Sequence, residues 1–354
     1  MKKNEFSPLR LLIDIGHPAH VHFFRNAIRM WQSRGHSVVL TIRDKDITSN
    51  LLDSFGFTYT IASKARKGVL GLGLELAEHN LCVLKTAIKH KSQILMGTSV
   101  AVAHVAPLIR AKSVVFSEDD ESVAKTFVRL SYPFASYIVT PITLQEDHGS
   151  KHIQYEGYQK LAYLHPKYFE PDPTIKQKLG TEDDEPFFIL RFVDLAAAHD
   201  IGEIGIDQAF QSRLVNYLEN HGKVFITSER KISPDLEKNR LTLSPKEIHH
   251  AMYYAKVFIG DSQSMALEAA ILGTPSLRIN SFADRCSILQ EIQHKYHLSY
   301  AFFPNQEEAI FNLLESWLNE KDLSQIWQKR RQRMLEDKID VTAWMVELIE
   351  SLAK

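Results

Sequence analysis

The sequence predicts an α/β protein built from two doubly wound domains. Short apolar runs alternate with amphipathic segments at the spacing of βαβ units. The same rhythm restarts after a proline-rich stretch at residues 164–173, and 354 residues exceed one ordinary hydrophobic core. We therefore predict an N-terminal Rossmann-like domain at residues 1–165 and a C-terminal Rossmann-like domain at residues 172–325. Residues 326–354 are predicted to form a C-terminal helix that packs across the linker.

Apolar runs rich in β-branched residues predict the strands of the first domain, and longer periodic segments predict its helices. The predicted strands are residues 11–15, 37–42, 94–96, 113–116 and 137–139, and the predicted helices are residues 21–34 and 47–55. Gly35 and Gly56 follow the two helices, at the position where glycine commonly ends a helix. Because strands that alternate with helices form parallel sheets, we expect helices on both faces of this sheet.

The second domain repeats the pattern. Its predicted strands are residues 187–190, 223–227, 257–260 and 275–279, and its predicted helices include residues 208–220 and 265–272. Ser244, Pro245 and Glu247 have the spacing of a capping box with proline at the first helical position, which predicts a further helix start. The charged helices from about residue 322 onward are expected to cross back over the linker.

Composition excludes several classes of protein. Lys plus Arg is 42 and Asp plus Glu is 43, so no broad positive charge favours nucleic-acid binding. Cys82 and Cys286 stand far apart without a CxxC motif, which favours a reduced, cytoplasmic setting. Asp14 interrupts the first apolar run, so we expect no signal peptide, and no apolar run has the length of a membrane-spanning helix.

The most informative stretch is residues 260–275, GDSQSMALEAAILGTP. A polar turn follows a strand and opens a helix, and a helix N-terminus is a ready anion site. Glu268 lies within the apolar part of that helix, where a carboxylate is costly unless it has a partner. A ribose diol is one suitable partner, because a carboxylate accepts hydrogen bonds from two hydroxyls. The alternative is that Glu268 reaches solvent or pairs with a nearby Arg or Lys.

This stretch resembles the nucleotide-binding segment of GT-B-type glycosyltransferases and of non-hydrolysing UDP-N-acetylglucosamine 2-epimerases. Those proteins have an Asp-Ser turn, a helix that carries a Glu, and Gly-x-Pro leading into the next strand. The resemblance implies that Ser262, Gln263 and Ser264 contact the pyrophosphate and that Glu268 holds the ribose. It also implies a GT-B-like fold of two Rossmann-type domains facing a cleft. The implied substrate is a nucleotide-diphospho-sugar, UDP-linked by expectation, with no cofactor required.

From about residue 11 to about residue 305, the chain resembles domain-of-unknown-function family 354. The matching segments include GHPAHVHFFRNAI, SEDDESV, RFVDLAAAHDIG and KEIHHAMYYAKVFIGDSQSMALEAAILGTPSLRINSF. This second resemblance implies the same fold. It implies no particular reaction, since the family has no settled activity.

The first strand-to-helix turn carries three histidines. By the resemblance, this turn faces the cleft and places Gly16, His17 and His20 against the donor sugar or the acceptor. A histidine of ordinary pKa can serve as a general base at cytoplasmic pH. The plainer alternative is capping or support, above all for His22. Apart from Asp14, no carboxylate stands at a metal-ligand spacing from the three histidines. We therefore assign no metal to this turn.

An acidic cluster, SEDDE, follows the strand at residues 113–116. Crowded carboxylates raise one another's pKa and can supply an acid or a base, and a divalent cation is an alternative occupant. The plainer reading, favourable charge at a helix N-terminus, suits Asp120 and Glu121. In the 2-epimerases a catalytic Glu has this place, and Glu118 or Asp119 matches it.

Three further residues are expected to point at the cleft. Arg191 follows a strand of the second domain and is suited to bidentate phosphate binding. His199 loosely matches a catalytic histidine of the epimerases, although it could instead cap the next helix. Arg278 ends the strand at residues 275–279 and is a candidate for sugar or phosphate contact. His249 is expected to be a packing or surface residue.

Two departures from the epimerase pattern favour glycosyl transfer. The epimerases have an Asp after a Gly where this chain has Gly97-Thr98, and a second catalytic Glu near the position of Arg129. Glycosyl transfer needs only a base and a group that stabilises the pyrophosphate. We therefore expect a nucleotide-sugar-dependent glycosyltransferase of surface polysaccharide or glycolipid synthesis. The alternatives are a UDP-sugar 2-epimerase-like isomerase and a non-catalytic nucleotide-sugar binding protein.

A glycine- and leucine-rich run at residues 68–74 has basic residues on both sides, Lys64, Arg66, Lys67, Lys85, Lys89 and Lys91. This pattern is compatible with a peripheral contact to the inner face of a membrane and with a polyprenyl-linked acceptor. The ordinary alternative is a mobile loop followed by a core helix. A glycan acceptor and an oligomeric state are also compatible with the sequence.

Overall fold

The computed structural model describes residues 7–44, 47–66, 68–194, 205–282 and 284–353. The chain divides into two compact units. The first is Met1–Tyr168 together with Ile339–Lys354, and the second is Phe169–Lys338. The division falls inside the proline-rich stretch at residues 164–173. The predicted segment 326–354 is not one helix, because its first part belongs to the second unit and its last part to the first.

Two parallel sheets form the centres of the units. Within the described ranges, the strand order is β3-β2-β1-β4-β5-β6-β7 in the first sheet and β12-β11-β10-β8-β9 in the second. The strands are β1 (Arg10–Ile15), β2 (Ser37–Asp44), β3 (Thr60–Lys64), β4 (Ile94–Gly97), β5 (Lys112–Phe116), β6 (Tyr137–Pro141), β7 (His152–Tyr155), β8 (Phe187–Phe192), β9 (Lys223–Ser228), β10 (Val257–Gly260), β11 (Ser276–Ile279) and β12 (Ser299–Phe302).

Helices connect these strands. They are α1 (Pro18–Ser33), α2 (Thr48–Ser54), α3 (Val69–His90), α4 (Val100–Leu108), α5 (Lys125–Ser131), α6 (Leu161–Leu164), α7 (Ile175–Lys178), α8 (Gln208–Glu219), α9 (Ile248–Tyr254), α10 (Gln263–Leu272), α11 (Ser287–His294), α12 (Glu307–Asn319), α13 (Leu323–Asp337) and α14 (Val341–Leu352). Over the described part of the chain, none of them combines the length and apolar composition needed to cross a bilayer.

The central strands are buried on both faces. Every residue of β4 and β10 is buried, as is every residue of β1 after Arg10. Continuous apolar strands of this kind are typical of parallel sheets that helices cover on both sides. The predicted strands at these positions therefore agree with the structure to within one residue. Three strands were missed, β3 (TIASK), β7 (HIQY) and β12 (SYAF), and all three are short strands at the edge of a sheet.

The first helix begins earlier than residue 21, the predicted start. His17 is its N-cap, with the imidazole Nδ1 accepting from the backbone N–H of Ala19 at 3.2 Å. Pro18 is the first helical residue, where its missing N–H costs nothing. Histidine is not among the usual capping residues, so Pro18 was the only familiar signal of this helix start in the local sequence.

The C-terminal helix α14 is fixed to the first unit by a buried carboxylate. Glu350 accepts from Arg34 Nη1 at 2.8 Å and lies 3.1 Å from His36 Nε2. Thr342 donates to the carbonyl oxygen of Ala162 at 2.7 Å. These contacts close the first unit with residues from the far end of the sequence, which confirms the prediction that the C-terminal helix crosses back.

The predicted helix start at Ser244 and Pro245 is wrong in its position. Ser244 Oγ does donate to Glu247 Oε2, at 2.7 Å, so the predicted pair forms. It closes a turn, however, and the helix α9 begins only at Ile248.

The prediction of a mobile loop followed by a core helix at residues 64–91 also differs from the structure. Helix α3 begins at Val69, inside the glycine- and leucine-rich run, and Leu70, Leu74, Leu81 and Ile88 are exposed along it.

Replacement of Gly97 by Ala should destabilise the first unit. A Cβ atom at Gly97 would overlap the backbone carbonyl oxygen of Asp14 on the neighbouring strand. We expect the free energy of unfolding in urea to fall by about 2 kcal/mol or more. The control is Gly73→Ala in α3, where a Cβ has nothing within 4 Å. That change should be neutral or stabilising by up to about 1 kcal/mol, because alanine favours helix. Equal effects of the two substitutions would contradict the close approach.

Candidate functional site

Each unit carries charged side chains at the carboxyl edge of its sheet, and the two edges are described separately. In the first unit, Asp14 near the end of β1 is completely buried. Its carboxylate accepts from Thr41 Oγ1 at 2.6 Å and from His79 Nε2 at 2.9 Å, and also from the hydroxyl of Ser99, the N-cap of α4. Burial would raise the pKa of Asp14, but His79 and the two hydroxyls outweigh it and hold the pKa below its ordinary value.

His79 of α3 extends this buried network. Its Nδ1 lies 2.7 Å from Ser63 Oγ, so Ser63, His79 and Asp14 form a continuous chain from β3 to β1. Burial lowers the pKa of His79, but the carboxylates of Asp14 and Glu75 outweigh it and leave the pKa raised. Sequence reasoning missed His79, because it lies mid-helix without a local motif and 65 residues from Asp14.

The opening turn places two histidines side by side. The rings of His17 and His20 have centroids 5.9 Å apart. Nδ1 of His20 is buried and has no hydrogen-bond partner among the described residues. Burial, together with the positive charges of His17 and Lys160, lowers the pKa of His20 to about 3. His20 is therefore neutral near pH 7 and is a weak base in this state.

His22 lies apart from that pair. Its ring stacks on Tyr163 at 5.1 Å, and its Nδ1 lies 3.0 Å from Arg25 Nη1. These contacts give it a packing role, the plainer alternative that the sequence offered. Gly16 is half-buried in the turn before α1.

Glu118 is the acidic residue that the fold singles out. Its carboxylate is buried, accepts from the backbone N–H of Gln159 at 2.6 Å, and forms an ion pair with Lys160, itself buried. Burial raises the pKa of Glu118 above its ordinary value, although Lys160 opposes the rise. Asp119 is exposed. The charge of Lys160 acts on both His20 and Glu118, so the structure brings these groups together.

Metal-ligating side chains do not converge at the three histidines. Among the described residues, one group of His, Cys, Asp or Glu side chains has metal-binding distances, namely Glu121, Glu146 and His148. Burial, with the nearby charges of Glu121 and Asp120, raises the pKa of Glu146 to about 7. The sequence indicated acidic crowding after β5 but gave no sign that Glu146 and His148 join it.

In the second unit, two arginines flank a glycine. Gly260 at the end of β10 is in register with Arg191 of β8 on one side and with Arg278 of β11 on the other. Residues in register on parallel strands point to the same face, so both side chains lie on one face with about 10 Å between their Cα atoms. A Cβ at Gly260 would lie 2.5 Å from the carbonyl oxygen of Arg191. Burial lowers the pKa of Arg278 to about 10, which leaves it cationic near pH 7.

The loops around these arginines are held by Asp261. This buried carboxylate accepts from the backbone N–H of Val193 at 2.7 Å and from Arg230 Nη2 at 2.8 Å. Burial raises its pKa to about 6. A Cβ at Gly205 would lie 2.5 Å from Asp261 Oδ2, so the chain passes close to this carboxylate at a position that suits only glycine. Sequence reasoning missed Arg230 and gave Asp261 no structural role.

Arg191 has partners within its own sheet. It donates to Thr227 Oγ1 at 3.0 Å and forms an ion pair with Glu229. Its Nε is buried and has no hydrogen-bond partner in the part of the chain that the structure describes. The predicted catalytic residue His199 lies outside the described residues.

The helix α10 starts at Gln263, two residues before the predicted start, and it has the polar cap that the sequence predicts. Ser262 is the N-cap, and its Oγ accepts from the backbone N–H of Met265 at 3.3 Å. Gln263 is half-buried and Ser264 is exposed in the first turn. Ser264 and Glu268 are four residues apart, so they lie on the same side of the helix, one turn from each other.

Glu268 has a partner that the sequence analysis did not name. Its carboxylate Oε1 lies 3.3 Å from Nε2 of His249 on α9, and both residues are buried. Because Glu268 is buried, the expectation that it reaches solvent is wrong. The expectation that His249 is a packing residue agrees with its burial, and the contact with Glu268 gives it a polar partner as well. The contact spans two helices and is invisible to local sequence patterns.

The His79–Asp14 pair predicts a pH-dependent stability. Because the pKa of His79 is higher in the folded protein than in the unfolded chain, protonated His79 stabilises the fold. This contribution is complete below the unfolded pKa of about 6.5, and it is lost as pH rises through the higher folded pKa. The lowered Asp14 pKa limits the same contribution on the acid side, below about pH 4. We expect His79→Gln to cost about 1 kcal/mol more at about pH 6 than at about pH 9 in urea unfolding. The control is His90→Gln on the same helix, because this ring lies beside the carbonyl of Ser37 instead of a carboxylate. A pH-independent cost for His79→Gln would contradict the ion pair.

Solved structures that share the fold of this chain include a glycosyltransferase and a 2-epimerase. The spinosyn forosaminyltransferase SpnP has a TM-score of 0.64 at 13% identity, over 98% of this chain and 100% of that chain. The UDP-GlcNAc 2-epimerase of Methanocaldococcus jannaschii, in complex with UDP-GlcNAc and UDP, has a TM-score of 0.62 at 14% identity, over 88% and 93%. At these identities the likeness shows the fold, and it confirms the predicted GT-B-like class.

The sequence comparisons identify the family. The uncharacterized protein MJ0665 of Methanocaldococcus jannaschii is 26% identical over 281 residues, which cover 76% of this chain and 81% of that protein. The family model described as "Protein of unknown function (DUF354)" matches residues 9–350, nearly the whole chain. The chain therefore belongs to the DUF354 family.

Proposed function

We propose that this chain is a nucleotide-sugar-dependent glycosyltransferase whose second unit binds the nucleoside diphosphate. One observation carries the proposal: Arg191 and Arg278 lie on one face of the sheet, on either side of Gly260. The helix α10 begins directly after this glycine and Asp261. Two arginines whose strand positions flank the residue that leads into this helix would supply donors and positive potential, which a pyrophosphate requires.

The rest of α10 suits the nucleoside. We assign Ser264 in the first turn to the phosphate and Glu268, one turn further on the same side of the helix, to the ribose hydroxyls. A carboxylate that holds a diol must be fixed in orientation, and the contact with His249 at 3.3 Å serves that purpose. Gln263 completes the polar first turn. UDP is our first choice of nucleotide, since a similar structure is named for its complex with UDP-GlcNAc and UDP.

The groups for chemistry are in the first unit. Glu118 combines burial, a raised pKa and a lysine partner, and these features suit a proton donor or acceptor. His17 is the better of the two histidines, because the pKa of His20 is about 3. His199 stays a candidate from the sequence. No cofactor enters this scheme, and transfer needs none beyond the nucleotide sugar.

The residues at the end of β4 favour glycosyl transfer over 2-epimerisation. Epimerisation requires groups that remove and return a proton at carbon, and the resemblance places one carboxylate directly after Gly97. This chain has Thr98 there, while Gly97 packs against the backbone of Asp14. Asp14 does not replace it, because its carboxylate is fully engaged with Thr41, His79 and a serine hydroxyl. A non-catalytic nucleotide-sugar binding protein is the other alternative.

The acceptor and the cellular setting are proposed from the sequence. We favour a glycan or polyprenyl-linked acceptor in surface polysaccharide or glycolipid synthesis, on the cytoplasmic side of a membrane. The exposed residues Leu70, Leu74, Leu81 and Ile88 support a peripheral membrane contact. At 100° per residue they fall within about 40° of one another around α3, and exposed Lys85 lies beside them.

The nucleotide site predicts a defined loss of affinity. We expect UDP to bind best in a calorimetric panel of UDP, GDP, CDP and dTDP and their common sugars. Glu268→Gln should weaken UDP binding about tenfold, or about 1.4 kcal/mol, because the amide is a poorer acceptor for two ribose hydroxyls. The matched control is Glu237→Gln, an exposed residue of the same unit that pairs with Arg240. Absence of binding across the panel, or an equal loss in the control, would contradict the assigned site.

The catalytic assignment predicts that neighbouring carboxylates differ sharply. Glu118→Gln should lower kcat for UDP release by about 10²–10⁴-fold, the usual contribution of a general acid or base. Asp119→Asn, the exposed neighbour, should leave kcat within about threefold. The assay offers soluble glycans and polyprenyl-linked sugars in vesicles side by side, with circular dichroism as the folding check. Epimerised sugar formed without acceptor would favour the isomerase, and binding with no turnover would favour the non-catalytic alternative.

A further inference from the structure

We propose that Glu121, Glu146 and His148 of the first unit form a binding site for a divalent transition-metal ion. One ligand atom from each side chain lies within 4.8 Å of the other two. Two loops supply these residues, one after β5 and one after β6, and these strands are parallel neighbours. Their loops therefore leave the sheet at the same carboxyl edge. The proposal does not depend on the nucleotide-sugar function.

The ligand atoms are close enough for one ion. His148 Nε2 lies 2.6 Å from Glu121 Oε1 and 3.9 Å from Glu146 Oε2. Ligands about 2.0–2.2 Å from a metal stand roughly 3–3.5 Å apart, so small side-chain rotations would seat the ion. All three atoms are buried, and apart from the contact between His148 and Glu121 none has a hydrogen-bond partner within the described residues. Buried polar atoms rarely lack partners unless an ion or water completes them.

A buried tyrosine borders the cluster. Tyr132 is 4% exposed, and although the hydroxyl of Ser117 is near enough to lower its pKa, its own hydroxyl makes no hydrogen bond of normal geometry among the described residues. Its ring meets that of His148 edge-on at 4.7 Å. Burial, with the charges of Glu146 and Glu121 near by, raises its pKa to about 12. The hydroxyl thus stays protonated and can donate to a bound carboxylate or to water on the ion.

The loops are held in place without the ion. The second oxygen of Glu146 accepts from the backbone N–H of Glu121 at 2.7 Å, which ties the two loops together. The backbone N–H of His148 donates to His152 Nδ1 at 3.3 Å, and His152 Nε2 lies 2.8 Å from Thr140 Oγ1. Such outer contacts orient metal ligands, so the site is pre-organised.

The donor set selects the kind of ion. Two carboxylates and one imidazole suit Mn²⁺, Co²⁺ or Zn²⁺, whereas Mg²⁺ and Ca²⁺ prefer oxygen donors alone. Three protein ligands leave coordination positions for water or for an oxygen of another molecule. The competing explanation is a protonated His148 paired with Glu121, with no ion bound. That pair would give no specific metal stoichiometry.

The test is metal titration of the full chain after treatment with a chelator. We expect calorimetry to give one equivalent of Zn²⁺ or Mn²⁺ per chain, with Mg²⁺ and Ca²⁺ at least about tenfold weaker. Co²⁺ should give visible absorption bands with the same stoichiometry. Glu146→Gln and His148→Gln should each weaken binding by at least about tenfold.

The matched control is Asp147→Asn, which removes a charge from the same loop but removes no ligand. Asp147 is exposed and accepts from the backbone N–H of Gly149 at 2.8 Å. The metal affinity of the Asp147→Asn variant should differ from that of the wild type by less than about twofold. Failure of wild type to bind, or equal weakening in Asp147→Asn, would overturn the site. If His148→Gln fails to fold, Glu121→Gln decides the question. UDP binding measured with and without the ion separates this outcome from that of the nucleotide site.

Discussion

The need to compensate charge that is buried at the carboxyl edges of the two parallel sheets governs this structure. Helices cover both faces of a parallel sheet, so a charged residue at a strand end loses water and must find a partner. Asp14 has His79, and Glu118 has Lys160. In the second unit, Asp261 has Arg230 and Glu268 has His249. Each pair joins separate elements, and each therefore fixes a loop or helix that the backbone ladder alone would leave unspecified.

The pKa shifts within these pairs distinguish carboxylates with a structural role from those suited to proton transfer. Asp14 is saturated by three neighbours and has a lowered pKa, so it is a fixed anion that holds the start of the first unit together. Glu118 has a raised pKa and a single cationic partner. A carboxyl group whose pKa is raised holds a proton more readily than a free one, and this suits proton transfer better than a saturated anion with a lowered pKa does. This contrast is our physical reason to place chemistry at Glu118 rather than at Asp14.

The sequence predicts what depends on local pattern and misses what depends on distant contacts. Strand β10 was predicted with its observed bounds, because four apolar residues end at a glycine and a polar turn. The carboxyl-edge positions of Arg191 and Arg278 followed from strand ends alone. The partners did not follow: Glu268 meets a histidine on another helix, and Asp14 meets one that is 65 residues away. The contact between Ser244 and Glu247 was predicted correctly, but the helix start was not. A turn can form the same hydrogen bond between these side chains, and the helix begins after it.

The acidic loop after β5 contains both Glu118, the proposed acid or base, and Glu121, a proposed metal ligand. Hydrogen bonds hold the two residues separately. At one end, Glu118 is held by the backbone N–H of Gln159 and by Lys160. At the other, the backbone N–H of Glu121 is held by Glu146. A cation at Glu121 would neutralise charge in the loop that also carries Glu118, and Coulomb's law gives that change its largest effect at short range. Acid–base chemistry at Glu118 should therefore depend on metal occupancy, while nucleotide affinity, which we propose that α10 of the other unit sets, should not.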